Sequence, residues 1–513
     1  MVCSLSAVSS FIRRVPTASG ATAVQIMHKK GREVVGIEHI GSAHNDVDLA
    51  LLMEVARQRL HAGQDELDLG WESEAATGGG PGQRPTVSGQ RSELLIRAVA
   101  GAYAHLGFDS LDDEAFWQLV LARIVEPTSK VDSIRVLEEI GLSAVSERTM
   151  YRCLARVIER DYRGTLAGGC MAHAARTSGA TVLLYDVTTL HFETDAEDDL
   201  RKVGMSKQRR VDPQIQVGLL VDRAGFPLEV QCFPGNKAET RTLVPILDGF
   251  KQRHGVTDLV VVADAGMLSA ANLNALEDAG YRFIVGSRIT KAPYDLAEHF
   301  QAKGNYFTDG QVLESSRVMG SAAQARSRRV VYQWRFKRAQ RDQRTLNAQI
   351  ERAEKVAAGT SPLKRDRFVK IDGATRGVDW PRVERARQLA GLKGYVSNIS
   401  HDTMSGLEVI TAYHDLFNVE ASFRMAKSDL RARPIFHRKH DSIEAHLTIV
   451  FAALAVSRLL QDLTGLSIKR LIRTLRPLRS VTINLAGNQI TATPELTEQT
   501  KQLLNQLPWY RGD

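Results

Sequence analysis

Apolar and polar positions alternate along residues 11–43, where Ala23-Val24-Gln25-Ile26-Met27 and Glu33-Val34-Val35-Gly36-Ile37 flank His28-Lys29-Lys30-Gly31 and predict a hairpin. Residues 46–60 then take a helical period. Glu72 to Gln90 breaks the pattern with Gly78-Gly79-Gly80-Pro81-Gly82, a composition that packs no core and reads as a connector. From Ser92 to about Thr177 a period near 3.6 returns, predicting helices over 92–106, 112–124, 131–140, 147–160 and 163–177. At Thr181 the period shifts to strands: 181–187, 214–222 and 227–233, a helix near 240–253, a strand ending at Asp264, a helix at 269–279 and a strand at 281–286. Three consecutive strands followed by helix and strand in alternation predict a mixed sheet, antiparallel on one side and parallel on the other. Residues 291–390 interrupt it with a strand-like Arg329-Val330-Val331-Tyr332-Gln333-Trp334, a charged helix over about 337–357 and a polar loop. A strand at 394–399 and helices at 406–428 and 442–463 return to the core.

Within this pattern two carboxylates stand out. Val182-Leu183-Leu184-Tyr185 is apolar enough for a strand buried on both faces, yet it runs straight into Asp186. Burial of an unpaired carboxylate costs several kcal/mol, so Asp186 is either hydrogen-bonded for structure or held beside a cation for chemistry. Asp264 ends Leu259-Val260-Val261-Val262-Ala263 in the same manner, and ligands of α/β sheets collect at strand ends. A third acid, Glu420, lies in Tyr413-His414-Asp415-Leu416-Phe417-Asn418-Val419-Glu420-Ala421-Ser422-Phe423-Arg424-Met425-Ala426-Lys427. At about 100° per residue, Leu416, Val419, Phe423, Ala426 and Leu430 share a core-facing arc. Tyr413, Glu420, Arg424, Lys427 and Arg431 share the arc beside it.

Tyr413, Glu420 and Lys427 have the spacing of a Y-x2-R-x3-E-x6-K signature, and the chain here resembles bacterial insertion-sequence transposases of the DDE type. Tyr185-Asp186-Val187-Thr188-Thr189-Leu190-His191-Phe192-Glu193, the Phe233-Pro234-Gly235-Asn236 turn with Glu239, and Asp264-Ala265-Gly266-Met267-Leu268-Ser269 are similar to segments of the same class, in the same order. The likeness spans about residues 181–465. Leu416 stands where the signature has Arg, so a phosphate contact by that Arg does not carry over, and Arg424 is a possible substitute. The resemblance implies an RNase H-like mixed-sheet catalytic domain, with an inserted domain within the 156 residues that separate Asp264 from Glu420. It implies Asp186, Asp264 and Glu420 as catalytic acids and metal ligands for Mg²⁺ or Mn²⁺, two ions being the expected number. All-oxygen donors suit those ions, and two of them activate a hydroxyl and stabilise the leaving oxygen. Lys427 and Tyr413 would bind phosphates near the scissile bond. Double-stranded DNA, as element ends and target, is the implied partner, with a homodimer in the DNA complex.

The implied organisation is a hairpin and helix at 1–71, a linker at 72–90, a mainly helical DNA-binding region at 91–177, catalytic segments at 178–290 and 391–465 around an insertion at 291–390, and a tail at 466–513. Charge adds to this picture. The net formal charge of +8 is modest, but Ser321–Thr345 holds eight basic residues against one acid, Asp342. The eight are Arg326, Arg328, Arg329, Arg335, Lys337, Arg338, Arg341 and Arg344, and a polyanion is their natural partner. Arg152 and Arg156 follow the N-cap Ser146 and would suit a DNA groove in a helix-turn-helix. The four cysteines form no CxxC pair, no secretory signal is apparent and no apolar run reaches the roughly 18 residues of a membrane span. A reducing bacterial cytoplasm, with association to the nucleoid, is therefore the expected setting, without a membrane partner. His437, His440 and His446 with Asp441 and Glu444 match no strong zinc spacing. A nuclease without strand transfer, and a catalytically silent DNA-binding descendant, are the competing functions. The three acids argue against the second of these.

Overall fold

The computed structural model describes residues 8–510 apart from 18–19, 31–32, 61–85, 180, 193–195, 205–211, 239–240, 257, 268, 363–365, 373–374, 434, 436 and 486–487. Glu193, Glu239, Leu268 and most of the expected linker lie outside the described residues. In chain order the first elements are β1 (Val8–Pro16), β2 (Thr22–Lys30), β3 (Glu33–Ala43), α1 (Asp46–Leu60), β4 (Thr86–Arg91) and α2 (Glu93–His105). Helices α3 (Glu114–Val125), α4 (Lys130–Glu139), α5 (Glu147–Glu159) and α6 (Tyr162–Thr177) follow. Next come β5 (Val182–His191), β6 (Gln214–Val221), β7 (Pro227–Pro234), α7 (Leu243–His254), β8 (Val260–Ala263), α8 (Ala270–Asp278) and β9 (Arg282–Ser287). The segment after β9 contains α9 (Ala292–Asp295), α10 (Ala297–Lys303), β10 (Val312–Met319), β11 (Arg326–Trp334), α11 (Phe336–Ala357), β12 (Val369–Asp372), β13 (Thr375–Val378) and α12 (Trp380–Gln388). The chain closes with β14 (Leu392–Ser397), α13 (Gly406–His414), α14 (Phe417–Arg424), α15 (His440–Thr464), α16 (Ile468–Leu475), β15 (Ser480–Leu485), β16 (Asn488–Ala492) and α17 (Glu498–Asn505).

Two compact units result. The smaller gathers Met1–Gly101, Thr128–Thr149 and Leu460–Asp513, the larger Ala102–Pro127 and Met150–Leu459. In the smaller unit β1, β2 and β3 form an antiparallel sheet on which α1 packs Leu52 and Ala56 against Val24 and Ile26. A second sheet joins β4 to β15 and β16, so residues 86–91, at the end of the expected linker, are a strand paired with a partner almost 400 positions away. Arg476 secures the same unit through Glu139 at 2.7 Å.

The larger unit is built on an eight-stranded mixed sheet in the order β10-β11-β14-β9-β8-β5-β6-β7. Strands β5, β6 and β7 are antiparallel neighbours, whereas β8 runs parallel to both β5 and β9. The central strands read as near-continuous apolar runs because both faces are covered; β6 and β8 are buried at every residue. The 291–390 segment is not wholly separate from this sheet: β10 and β11 extend it beyond β14, with Val330, Val331 and Tyr332 completely buried. Helix α11, the β12–β13 ribbon and α12 pack around a small core of their own, Leu346, Ile350, Ala353, Phe368, Val383 and Ala386. Helix α15 is long and apolar enough to cross a membrane, but 89% of its apolar window is buried inside the protein.

Candidate active site

The sheet register sets the site. Strand β5 pairs in parallel with β8 from Val182 opposite Val260 to Tyr185 opposite Ala263. The next residues on the two strands are Asp186 and Asp264, so the apolar runs that precede the acids bring them level. Strand β5 continues to His191, which places Asp186 inside a strand and not at its end, and β8 stops at Ala263. The Val187 amide donates to Asp186 Oδ1 at 2.8 Å and the Ala265 amide to Asp264 Oδ1 at 2.7 Å, each carboxylate thus being oriented by the backbone of its own successor.

Tyr413 and Glu420 do not share one continuous helix. Helix α13 ends at His414, and α14 begins at Phe417, after the Leu416 amide has donated to the Tyr413 carbonyl at 3.1 Å. The Tyr413 hydroxyl donates to Asp264 Oδ1 at 3.0 Å. Burial, followed by the charge of Asp264, holds this phenol far above its ordinary pKa, so it stays protonated and remains a donor. The approach needs Gly286 on β9: a Cβ there would come within 2.6 Å of the Tyr413 hydroxyl and 3.1 Å of Ala265. Sequence reading missed Lys393, on β14, whose Nζ sits 4.4 Å from the Tyr413 ring centroid and 5.6 Å from that of Tyr395. Burial lowers its pKa, as do Arg338 and Arg341, while Asp264 and Glu420 pull it back up. A lone Lys inside a strand carries no motif, and only its neighbours mark it.

Glu420 is exposed on α14, which packs Val419 and Phe423 beneath it and rests on β5 and β6. Ser422 Oγ donates to the Gly225 carbonyl at 2.6 Å and Asn418 Nδ2 to the Arg223 carbonyl at 2.8 Å, tying the helix to the β6–β7 turn. That turn depends on Gly225, whose φ of +90° suits glycine. Past α14 the helix widens into a π turn over Met425–Asp429, and the extra residue re-aims Lys427 so that its Nζ bonds Thr188 Oγ1 on β5. Asp186, Thr188, Glu420, Arg424, Lys427 and Arg433 line one open cleft of about 440 Å³. Arg433 was not anticipated, because it lies beyond the signature. Leu416 is 6% exposed and belongs to the core, whereas Arg424 is exposed at the cleft.

The cationic run divides. Arg326 pairs with Glu277 at 3.1 Å and Asp278 at 2.7 Å, Arg328 with Glu277 at 2.8 Å and Arg329 with Glu314 at 2.8 Å. These three are paired with acids within and beside the sheet. Arg335, Lys337, Arg341 and Arg344 are exposed and Arg338 half-buried at the start of α11. Arg335 and Arg338 oppose the burial that pushes the Tyr395 hydroxyl up to about 12, which locates this end of the helix beside Lys393 and Tyr395. On α5, Arg156 is bound to Asp113 at 2.7 Å, and Arg148 and Arg152 are exposed. His446 Nε2 lies 3.2 Å from the Ala432 carbonyl, and α15 starts at His440 with Asp441 in its first turn. Among the described residues no three His, Cys, Asp or Glu side chains form a ready metal cage, either there or at the three acids.

No curated protein matches the chain. Among solved structures it is similar to the piggyBac transposase of a cryo-EM synaptic complex with hairpin DNA, with a TM-score of 0.37 and 11% identity over 75% of this chain and 79% of that one. A likeness of that size fixes neither topology nor chemistry. Residues 177–456, more than half of the chain and including all three acids, match the family model described as the transposase DDE domain. The chain therefore belongs to the DDE-domain transposase family.

Proposed function

We propose that the protein is a DNA transposase that cleaves phosphodiesters at the ends of its element and transfers the 3′ ends to target DNA, with Asp186, Asp264 and Glu420 as its catalytic carboxylates. The observation that carries this reading is the parallel register that levels Asp186 with Asp264, together with the cleft that Asp186 and Glu420 both line. The strand order β7-β6-β5-β8-β9, three antiparallel strands followed by two parallel ones, supports an RNase H-like core that β14, β11 and β10 extend. Helix α11, the β12–β13 ribbon and α12 are then the inserted element.

Mg²⁺ or Mn²⁺ fits this donor set, which is all carboxylate oxygen and open to solvent at Asp264 and Glu420. Bound by Asp186, Asp264 and Glu420, such ions would supply the activation of a water or 3′-hydroxyl and the neutralisation of the leaving oxygen. The protein's own groups do the rest. Tyr413 and the Ala265 amide fix the orientation of Asp264. Lys427 and Arg424 offer positive charge to the phosphate on the Glu420 side, and Arg335, Lys337, Arg338 and Arg341 hold flanking duplex without reading its sequence. The family resemblance also implies a homodimer on paired ends, which light scattering of the end complex would register.

The test uses the full chain, Mn²⁺ and a labelled duplex carrying an element end. Asp186→Asn, Asp264→Asn and Glu420→Gln should each abolish nicking and strand transfer while leaving binding of the duplex largely intact. Substantial strand transfer by any one of these variants removes that residue from the site. Nicking without joining on pre-cleaved ends would make the protein a nuclease.

A further inference from the structure

We propose that a second DNA-binding surface lies in the cleft between residues 289–295 and α12, where Lys291, Arg367, Arg382 and Arg385 line one opening with the exposed ring of Tyr294 and receive the phosphodiester backbone of DNA that continues beyond the acids. The proposal rests on the transposase reading and adds to it a surface that no signature residue reaches.

The cleft has a volume of about 620 Å³, and its lining holds four cations and a single acid, Asp379. That acid is engaged: its Oδ1 accepts the Arg382 amide at 3.1 Å as the cap of α12. All four cations are exposed, and among the described residues none of them forms an ion pair with a carboxylate. This sets them apart from Arg326, Arg328 and Arg329, each of which has an acidic partner. Tyr294 is 66% exposed, yet Lys291 Nζ stands 5.7 Å and Arg385 Cζ 5.4 Å from its ring centroid. Two long side chains gathered on one ring lose less freedom when a phosphate arrives than two free ones would.

The platform is rigid on both sides. Beside Tyr294, Asp295 is 6% exposed, forms an ion pair with Arg317 of β10 and accepts the Tyr332 hydroxyl of β11 at 2.6 Å. Opposite, α12 buries Val383 and Ala386 against α11. The position also fits. In the parallel pair β8 and β9, Ala263 lies opposite Val285, so Asp264 is level with Gly286, eight residues before Tyr294. The chain that carries Lys291 and Tyr294 thus leaves the sheet at the edge where Asp264 sits. DNA seated at the acids has a cationic surface at that edge to run onto.

The experiment compares two triple variants of the full chain by fluorescence anisotropy with a long random duplex over a salt series. Lys291→Gln/Arg382→Gln/Arg385→Gln should bind several-fold more weakly, with a salt slope reduced by roughly 0.9 for each phosphate no longer neutralised, and should melt as the wild type does. Arg352→Gln/Lys355→Gln/Arg387→Gln removes the same charge from exposed residues already paired with Asp366, Glu351 and Glu384, and should bind nearly as the wild type does. Equal weakening by both triples reduces the effect to net charge and overturns the surface, and so does wild-type affinity and slope in the first. Either result leaves the transposase reading standing if Asp264→Asn still binds DNA but no longer nicks it. Unimpaired nicking by Asp264→Asn sinks that reading while the surface survives. Absence of DNA binding by the wild type overturns both.

Discussion

Strand β11 and the first turns of α11 are consecutive and equally rich in arginine, but they use it in opposite ways. In β11 the Arg328 side chain is completely buried and Glu277 beside it is 16% exposed, so the pair is part of the sheet. In α11 the Arg338 side chain is 33% exposed, its Asp342 partner is 3.6 Å away, and Asp342 Oδ2 also accepts the Gly391 amide at 3.1 Å. Arg341 and Arg344 are exposed. A cation whose field is already cancelled by a buried carboxylate has little left for a phosphate, whereas a solvated one can exchange its counterions for DNA. Density of positive charge in sequence therefore overstates the charge available to a polyanion, because pairing decides which part of it is free.

The largest expected effect breaks the β11 side of this contrast. Arg328→Met leaves Glu277 only the more exposed Arg326 and should cost about 3 kcal/mol in denaturant unfolding, the low end for a broken buried pair. Adding Glu277→Leu should recover part of that loss, and a single variant as stable as the wild type would remove the pair from the fold's support.

A smaller effect comes from a pair between the two extremes, Glu229 on β7 and Arg253 on α7. Burial outweighs the attraction of Arg253 and pushes the Glu229 carboxyl up to about 7. An unfolded Glu releases its proton near pH ~4.3. Between that value and about 7 the native state therefore keeps a proton that the unfolded chain has released. Stability should fall as pH rises through this window and stay reduced above it, by on the order of 2 kcal/mol. Glu229→Gln should flatten the profile; a wild-type midpoint that rises from pH 5 to 7 through this residue would contradict the assignment.

The smallest effect on stability belongs to α11. Arg338→Gln with Arg341→Gln should change unfolding by less than about 0.5 kcal/mol while lowering the salt slope of duplex binding by up to roughly 0.9 for each phosphate that the two arginines neutralise. If the double variant were destabilised and kept its slope, the two regions would be alike and the contrast would fail.

Much of the sheet is legible because central strands must be apolar on both faces. Val182–Tyr185 and Val260–Ala263 announce themselves, and each is followed at once by an Asp that an interior strand would not tolerate without a reason. The helical wheel served less well around Glu420. It placed Tyr413, Glu420 and Lys427 on one stripe, yet the chain breaks between His414 and Phe417 and widens again after Arg424. Periodicity registers a run of compatible residues but not a break that preserves their polarity, and it did not reveal that Tyr413 donates to Asp264.

The sequence by itself determined the identity of the acids to test, the order of strands and helices from β5 to β9, and the presence of a cationic stretch before Glu420. These follow from local rules: burial sets the period, and a carboxylate next to a buried strand is costly enough to be noticed. The tertiary structure alone decided that β10 and β11 extend the central sheet, that β4 closes onto β15, that Lys393 lies beside Tyr413, and which arginines are silenced by acids. Each of these joins residues far apart in the chain through register or ion pairing. Such pairings are fixed by the free energy of the assembled core and by Coulomb interactions at a few ångströms, and neither leaves a period in the sequence.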